Sequence, residues 1–293
     1  MADQAEKVTK VSIFTTTLVG LVEIAAALFS GSVGLIAAGI DALSDTFTSL
    51  VVLAGLYISK RPADRGHLYG HAQAETLASM ILAVALFVAG VRVASLALEK
   101  FYSGLPIEVS LDVLFVAVAA IIISGLLARY KILTGKKVHS LAVVADGYHT
   151  LTDAVSAAAV LVGLILVTIG HTWVDPLIAM GISVLIVYWS LNIGWSGVKI
   201  LMESSPGKKT MDEINRVCLG VTGVRGCHRS RARRVGSKLY ADVHINVDPK
   251  LSVKKSHAIA TRVERNLKAK IPDLTSVVVH IEPSEGRKVD KKR

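Results

Sequence analysis

The apolar run from about Val33 to Ile58 contains two aspartates, and this combination constrains the fold more than any other stretch of the chain. The run is long enough to cross a lipid bilayer as a helix, for which about 20 residues are needed. Asp41 and Asp45 are four residues apart, so a helix places both carboxylates on one face. An aspartate at the centre of a bilayer costs about 2.5–3.5 kcal/mol on insertion scales. Two carboxylates on one face therefore indicate a cation beside them.

A second apolar run, at about 140–169, repeats the pattern with His149 and Asp153. If the two helices cross the bilayer in opposite directions, the helical rise of about 1.5 Å per residue brings Asp45 and Asp153 to similar depths. Three carboxylates and one imidazole suit a four-coordinate divalent ion such as zinc. The alternative is that each polar side chain is hydrogen-bonded separately to a neighbouring helix. Two matched pairs in two apolar runs favour a metal site.

Apolar runs of this length recur along the chain, which has 293 residues, 52% of them hydrophobic, and a mean hydropathy of +0.53. These values are typical of an integral membrane protein in a lipid bilayer. The sequence predicts six membrane-spanning helices, at about 10–29, 33–58, 75–98, 111–133, 140–169 and 174–200.

Basic residues lie at alternate connections between these spans, which predicts the orientation of the chain in the membrane. Lysines and arginines precede the first span, follow the second, separate the fourth from the fifth and end the sixth. They are Lys7, Lys10, Lys60, Arg61, Arg65, Arg129, Lys131, Lys136, Lys137 and Lys199. We therefore expect both termini on the cytoplasmic side.

The composition changes from apolar to mixed at Ser204–Gly207, which marks a domain boundary. The sequence predicts a six-helix transmembrane domain at 1–203, a cytoplasmic α+β domain at 204–286 and a basic, disordered tail at 287–293. In the second domain the expected order is helix (about 208–220), strand (224–234), strand (238–248), helix (253–270) and strand (274–282). The fold class is thus an α-helical membrane protein with a small C-terminal α+β domain.

The C-terminal part is strongly basic. Residues 204–293 contain 21 Lys and Arg against 9 Asp and Glu, a net charge of +12, whereas residues 1–203 have a net charge of −2. Nucleic acid is one partner that such a charge could attract, but the part contains no aromatic stacking motif or helix-turn-helix pattern. A cytoplasmic domain that faces anionic lipid headgroups is the favoured interpretation.

Two further groups of residues have the types that bind metals. The connection after the second span contains Asp64, His67 and His71, and its glycines predict a turn rather than a helix. A surface loop with two incidental histidines explains these residues equally well. The C-terminal part contains a second group. The alternation of side chains along a strand puts His244 on a polar face and His280 and Glu282 on one face, and we expect the group to converge at one edge of a sheet. This group comprises His228, His244, His257, His280 and Glu282.

Other chemistry is not indicated. Cys218 and Cys227 lack a Cys-x-x-Cys spacing, which argues against a disulfide framework and fits a reducing compartment. The sequence contains no His-Glu-x-x-His, P-loop or Gly-x-Ser-x-Gly pattern, so we expect no enzyme activity.

These features resemble the cation diffusion facilitator family of divalent metal/proton antiporters, over nearly the whole chain. The residues that carry the resemblance are Asp41-x-x-x-Asp45, His149-x-x-x-Asp153 and Gly-His-x-x-Ala-Glu at 70–75. The resemblance implies a homodimer with a transport site at Asp41, Asp45, His149 and Asp153. It also implies a metal site at Asp64, His67 and His71, and a regulatory cytoplasmic site at His228, His244, His257, His280 and Glu282. A histidine in the transport site resembles the zinc and cadmium branch, since manganese members more often have aspartate there.

Two positions depart from the family pattern. Gln73 stands where some members have a lysine that pairs with an acidic residue after the sixth span, and here only the acid, Glu203, is present. The pairing that locks the dimer at the membrane surface is therefore in question. Glu282 stands where some zinc members have an aspartate, so its longer side chain alters the cytoplasmic site.

We therefore expect zinc efflux across a prokaryotic inner membrane, with protons as the counter-ion. Iron, cadmium or cobalt are alternative cargoes, because a ligand set alone does not fix which metal is bound in cells. A membrane-embedded metal sensor or scaffold is the alternative function. An intramembrane metal-dependent hydrolase is a further alternative, but it would need an acid/base residue beside an open coordination position.

Overall fold

A computed structural model of the chain describes residues 2–30, 33–103, 111–168 and 174–284. The chain forms two compact units, one that ends at Val198 and one that begins at Lys199. The tail predicted at 287–293 lies outside the described residues.

The first unit is built from long helices in the order that the sequence predicts. They are α1 (Ala2–Ser30), α2 (Val33–Ser59), α3 (Gln73–Ser103), α4 (Leu111–Lys137), α5 (Leu141–Thr168) and α6 (Val174–Leu201), the last of which continues into the second unit. Four described stretches are long and apolar enough to cross a membrane: Asp3–Ala26, Gln73–Glu99, Val118–Lys137 and Leu177–Leu201. The fold class of a helical membrane protein is thus confirmed.

The first helix begins earlier than the apolar run that predicted it. Its additional N-terminal turns are charged, and Lys10 forms an ion pair with Glu6, four residues before it, at 2.6 Å. Such a pair stabilises the exposed side of these turns, while Ala5 and Val8 are buried on their other side. Glu6 also contacts Lys60, just beyond the end of α2, at 2.5 Å. The charges therefore extend α1 beyond its apolar part and connect it to α2.

The helices approach closely where glycines face a neighbour. A Cβ atom on Gly20 of α1 would lie 2.9 Å from the carbonyl oxygen of Gly39 on α2. A Cβ atom on Gly135 of α4 would lie 2.9 Å from the backbone nitrogen of Val144 on α5. Small residues allow such contacts in membranes, where packing rather than the hydrophobic effect drives helix association. Two helix pairs, α1 with α2 and α4 with α5, are therefore in near backbone contact.

The second unit contains α7 (Lys208–Leu219), β1 (Gly226–Val235), β2 (Lys238–Val247), α8 (Val253–Lys270) and β3 (Leu274–Pro283). The strand order in its sheet is β1-β2-β3, with β1 and β2 antiparallel and β2 and β3 parallel. The predicted helix and strand order is confirmed, with ends that differ by a few residues.

One face of the sheet forms the core of this unit. Buried and half-buried residues alternate along β2, and the buried set is apolar: Leu239, Ala241, Val243, Ile245 and Val247. On α8, Ile259, Val263 and Leu267 follow each other at a spacing of four residues. They are buried in the same cluster, together with Ile214 and Val217 of α7. Both helices therefore cover one face, and the other face of β2 carries its polar residues.

The close contact between α4 and α5 gives a prediction with a control on the same helix. Gly135→Leu should destabilise the protein by about 1–3 kcal/mol, since the added side chain has to displace the backbone of Val144. Gly125→Leu, also on α4, adds the same side chain where a Cβ atom meets nothing within 4 Å. Thermal stability of the detergent-solubilised protein, followed by size-exclusion chromatography, measures the difference. Equal melting temperatures for the two variants would contradict the contact.

Candidate metal centres

The membrane unit brings three of the four predicted transport residues together. Asp45 lies on α2, and His149 and Asp153 lie one turn apart on α5. The His149 Nε2 atom is 3.4 Å from Asp45 Oδ1, and its Nδ1 atom is 3.8 Å from Asp153 Oδ2. One ligand atom from each residue lies within 4.8 Å of the others. Asp41 lies on α2 one turn before Asp45, but its side chain is outside the described ones.

The chemistry of this membrane cluster suits a divalent cation. Two carboxylates and an imidazole offer the oxygen and nitrogen donors that zinc binds at about 2.0–2.2 Å. The Nδ1 atom of His149 is buried and has no hydrogen-bond partner among the described residues. A buried ring nitrogen without a partner is costly, so a ligand at this position would lower the free energy of the site.

The loop cluster has the turn geometry that its glycines predicted. The Asp64 Oδ1 atom accepts hydrogen bonds from the backbone nitrogens of Gly66 at 2.9 Å and His67 at 2.7 Å. Gly70, with φ of 81°, then turns the chain so that the ring of His71 comes within 4.4 Å of the ring of His67. Asp64 Oδ2 is 3.4 Å from His71 Nε2. The three predicted loop residues thus meet at one point.

Electrostatics keep the loop carboxylate available as a ligand. The hydrogen bond from the backbone of His67 is the largest cause that lowers the pKa of Asp64, and a second from Gly66 adds to it. The Nδ1 atom of His71 is buried and has no hydrogen-bond partner among the described residues. The loop cluster therefore offers one ionised carboxylate and an unsatisfied imidazole.

Strand register builds the cytoplasmic cluster. His228 on β1 is the pairing partner of His244 on β2, which is in turn the partner of His280 on β3. The ring centroids are 5.6 Å apart for the first pair and 4.6 Å for the second. The histidines form a row across all three strands, on the face away from the helices, rather than at one edge of the sheet.

Glu282 connects this row. Its Oε1 atom is 2.9 Å from His244 Nδ1 and 3.6 Å from His280 Nε2, and its Oε2 atom is 3.0 Å from His228 Nε2. The hydrogen bond with His244 is the largest cause that lowers the pKa of Glu282, opposed by partial burial and reinforced by the charge of His228. His257 lies apart from these contacts, exposed on α8, where its carbonyl oxygen accepts a hydrogen bond from Thr261.

The sequence interpretation misplaced one basic residue. Lys131 counted among the charges between the fourth and fifth spans, but it lies inside α4 with its side chain 1% exposed. Its Nζ atom is 2.8 Å from Asp146 Oδ2 on α5, which is equally buried. A lysine near the end of an apolar run commonly extends to the membrane surface, and the sequence gives no sign that this one points inward. The orientation of the chain stays a prediction, which rests on the other basic residues.

Gln73 and Glu203, the positions of the family's dimer pairing, have different contacts in this protein. The Gln73 Oε1 atom is buried and has no hydrogen-bond partner among the described residues. Glu203 Oε2 accepts a hydrogen bond from Arg233 Nη1 of β1 at 2.8 Å. The charge of Glu203 is therefore neutralised by Arg233 within the second unit.

Comparison with known proteins assigns the family. The model of the cation efflux transmembrane domain matches residues 9–202, and that of the cation efflux protein cytoplasmic domain matches residues 206–284. The chain belongs to the cation efflux family, the cation diffusion facilitators. It is an integral membrane protein of a family of divalent-cation transporters.

Several relatives match nearly end to end. An uncharacterized transporter of Methanocaldococcus jannaschii is 32% identical over 95% of this chain and 98% of its own length. The manganese efflux system protein MneP of Bacillus subtilis is 29% identical over 97% of this chain and 99% of its own. The cation-efflux pump FieF of Cronobacter sakazakii is 31% identical over 91% of this chain and 89% of its own.

The contact between Glu282 and His244 predicts a measurable pKa change. In His244→Ala, the pKa of Glu282 should rise towards its ordinary value of 4.5, because the largest cause of its depression is removed. Any stability that this contact adds to the wild type should be present above pH 4.5 and lost as the pH falls through the lowered pKa. NMR titration of the labelled carboxyl carbon measures both states. His257→Ala removes a histidine outside the row and should leave the pKa of Glu282 unchanged, and an unchanged value in both variants would contradict the contact.

Proposed function

We propose that the protein exports zinc from the cytoplasm in exchange for protons, with Asp41, Asp45, His149 and Asp153 as the transport site. The single observation that carries this proposal is the cluster of Asp45, His149 and Asp153, which joins two helices inside the membrane unit. Carboxylates at this depth are expensive unless a cation neutralises them. If the cation that neutralises these carboxylates is also released, the residues that bind it form a transport site.

The choice of zinc rests on His149. Imidazole nitrogen suits zinc, whereas carboxylate and carbonyl oxygens suit manganese. One relative is named as a manganese efflux system, so the family includes proteins whose names give another cargo. Iron, cadmium and cobalt also accept a mixed set of oxygen and nitrogen ligands, and competition experiments distinguish them.

Proton exchange follows from the ligand chemistry. Carboxylates and imidazole bind a metal only when they are deprotonated, so metal and protons compete for the same atoms. Protons that enter from outside would displace the metal there, and their loss on the cytoplasmic side would restore the site. Alternating access around a site fixed near the membrane centre completes the cycle.

The other two clusters have supporting roles in this proposal. His228, His244, His280 and Glu282 bind metal in the cytoplasm and regulate a homodimer, and Asp64, His67 and His71 bind a second ion at the membrane surface. Both termini are cytoplasmic, and the membrane is the inner membrane of a prokaryotic cell. The cytoplasmic geometry that supports regulation is the row of three histidines around one glutamate.

The transport site is tested by flux into proteoliposomes that contain a zinc indicator and a pH-sensitive dye. Asp45→Ala and Asp153→Ala should reduce zinc flux to the level of empty liposomes while the protein still inserts, because each removes a ligand. Glu99→Ala removes an exposed acid from α3 and should transport at the wild-type rate. Normal flux in either aspartate variant would refute the site. Zinc binding without flux in the wild type would favour a sensor instead.

The cargo is tested by changing the nitrogen ligand. His149→Asp should lower the preference for zinc over manganese by roughly tenfold or more, since it exchanges the nitrogen donor for oxygen. Competition flux with both metals at equal concentration measures the ratio. A ratio that stays at the wild-type value would show that His149 does not determine selectivity.

A further inference from the structure

A buried ion pair lies in the membrane unit, outside the three metal clusters. The side chains of Lys131 on α4 and Asp146 on α5 are each 1% exposed, with Nζ 2.8 Å from Oδ2. Lys131 Nζ also donates hydrogen bonds to Thr150 Oγ1 at 2.9 Å and Ser49 Oγ at 3.3 Å. All three of its protons therefore have an acceptor.

The network extends over four helices. The Ser49 hydroxyl lies 3.0 Å and 3.1 Å from the two carboxylate oxygens of Asp146. It is also 3.0 Å from the hydroxyl of Ser12. Ser12 lies on α1, Ser49 on α2, Lys131 on α4, and Asp146 and Thr150 on α5. The ammonium group of Lys131 on α4 thus contacts α2 and α5, the two helices that carry Asp45 and His149.

The network lies one helical turn from the proposed ligands. Ser49 follows Asp45 by four residues on α2, and Asp146 precedes His149 by three on α5. Residues at these spacings share a helix face, so the network and the ligands follow each other along the seam between α2 and α5. A shift of either helix that breaks the network would also separate Asp45 from His149.

Stability alone does not account for this pair. Removing two charges from water is expensive, and apolar residues of similar volume are often as stabilising as a buried ion pair. A buried pair does fix one geometry, because its members accept few other arrangements. A metal site between two helices likewise requires that its ligands are held at fixed positions relative to each other.

We propose that Ser49, Lys131 and Asp146 are positioning residues that hold α2 and α5 in the register at which Asp45 and His149 bind one metal ion. Preorganisation of this kind raises affinity, because the ligands need not be ordered when the ion arrives. This inference rests on the proposed transport site.

The first test removes one hydroxyl. Ser49→Ala cuts the link between α2 and Asp146 but leaves the Lys131–Asp146 pair intact, so the protein should fold. We expect the zinc dissociation constant of the membrane site to rise on the order of tenfold, and the KM for zinc flux to rise with little change in the rate at saturating zinc. Calorimetry in a background with His71→Ala and Glu282→Ala isolates the membrane site.

Ser79→Ala is the matched control. Ser79 on α3 is as fully buried as Ser49, but its hydroxyl donates to the carbonyl oxygen of Thr76 on the same helix. Its loss should leave zinc affinity and KM unchanged. Equal zinc affinity in Ser49→Ala, Ser79→Ala and the wild type would overturn the inference.

A second variant tests the charges. Lys131→Met alone leaves a buried carboxylate without its cation and is expected to fold poorly. The double variant Lys131→Met with Asp146→Leu removes both charges and should fold. If the folded double variant binds zinc as tightly as the wild type, the pair has only a structural role and the inference is wrong. If the double variant does not fold, the result for Ser49→Ala decides.

The transport function and this inference can fail separately. Wild-type protein that binds zinc at this site without moving it would refute the transport function and leave the affinity comparison valid.

Discussion

The cost of placing carboxylates within a lipid bilayer governs the membrane unit. Asp45, Asp146 and Asp153 lie on helices of this unit, and each needs positive charge nearby. The protein answers this need in two ways. Asp146 has a cation that is part of the chain, the ammonium group of Lys131. Asp45 and Asp153 face His149, and in our proposal their cation is an ion that comes and goes.

The second unit, which matches the family's cytoplasmic-domain model, is organised differently. Its cluster is partly exposed to water, so a carboxylate there needs no fixed cation, and the hydrogen bonds of a sheet position its residues. The register of three strands places three histidines in a row, and Glu282 contacts each of them. These side chains are 23–60% exposed. Such a cluster can exchange ions with the solvent directly, as the regulatory site of our proposal requires.

The sequence singles out the residues of the membrane cluster because they break a strong pattern. A charge inside an apolar run is conspicuous, and the helical period then tells which charges share a face. The order of helices and strands and the buried face of β2 follow from periodicity in the same way. These features depend on residues that are neighbours along the chain.

What the sequence could not show depends on contacts between distant segments. The partnership of His228, His244 and His280 requires the register of two strand pairs, one of which is irregular between His228 and Arg231. The inward direction of Lys131 likewise depends on Asp146 and Ser49, which lie on other helices. Local patterns do not fix such contacts, so the sequence predicts Lys131 only as one of the charges between the fourth and fifth spans.

The ammonium group of Lys131 and the proposed metal ion at His149 differ in whether the surrounding groups already have hydrogen-bond partners. Every proton of Lys131 has an acceptor within 3.3 Å, so its network gains nothing from a further ligand. His149 keeps a buried nitrogen without a hydrogen-bond partner among the described residues, only one helical turn away. A buried nitrogen atom without a hydrogen-bond partner is a place where an ion can bind. A network whose hydrogen bonds are all made keeps its geometry. A transporter needs both, because a site that releases its ion must keep its geometry while it is empty.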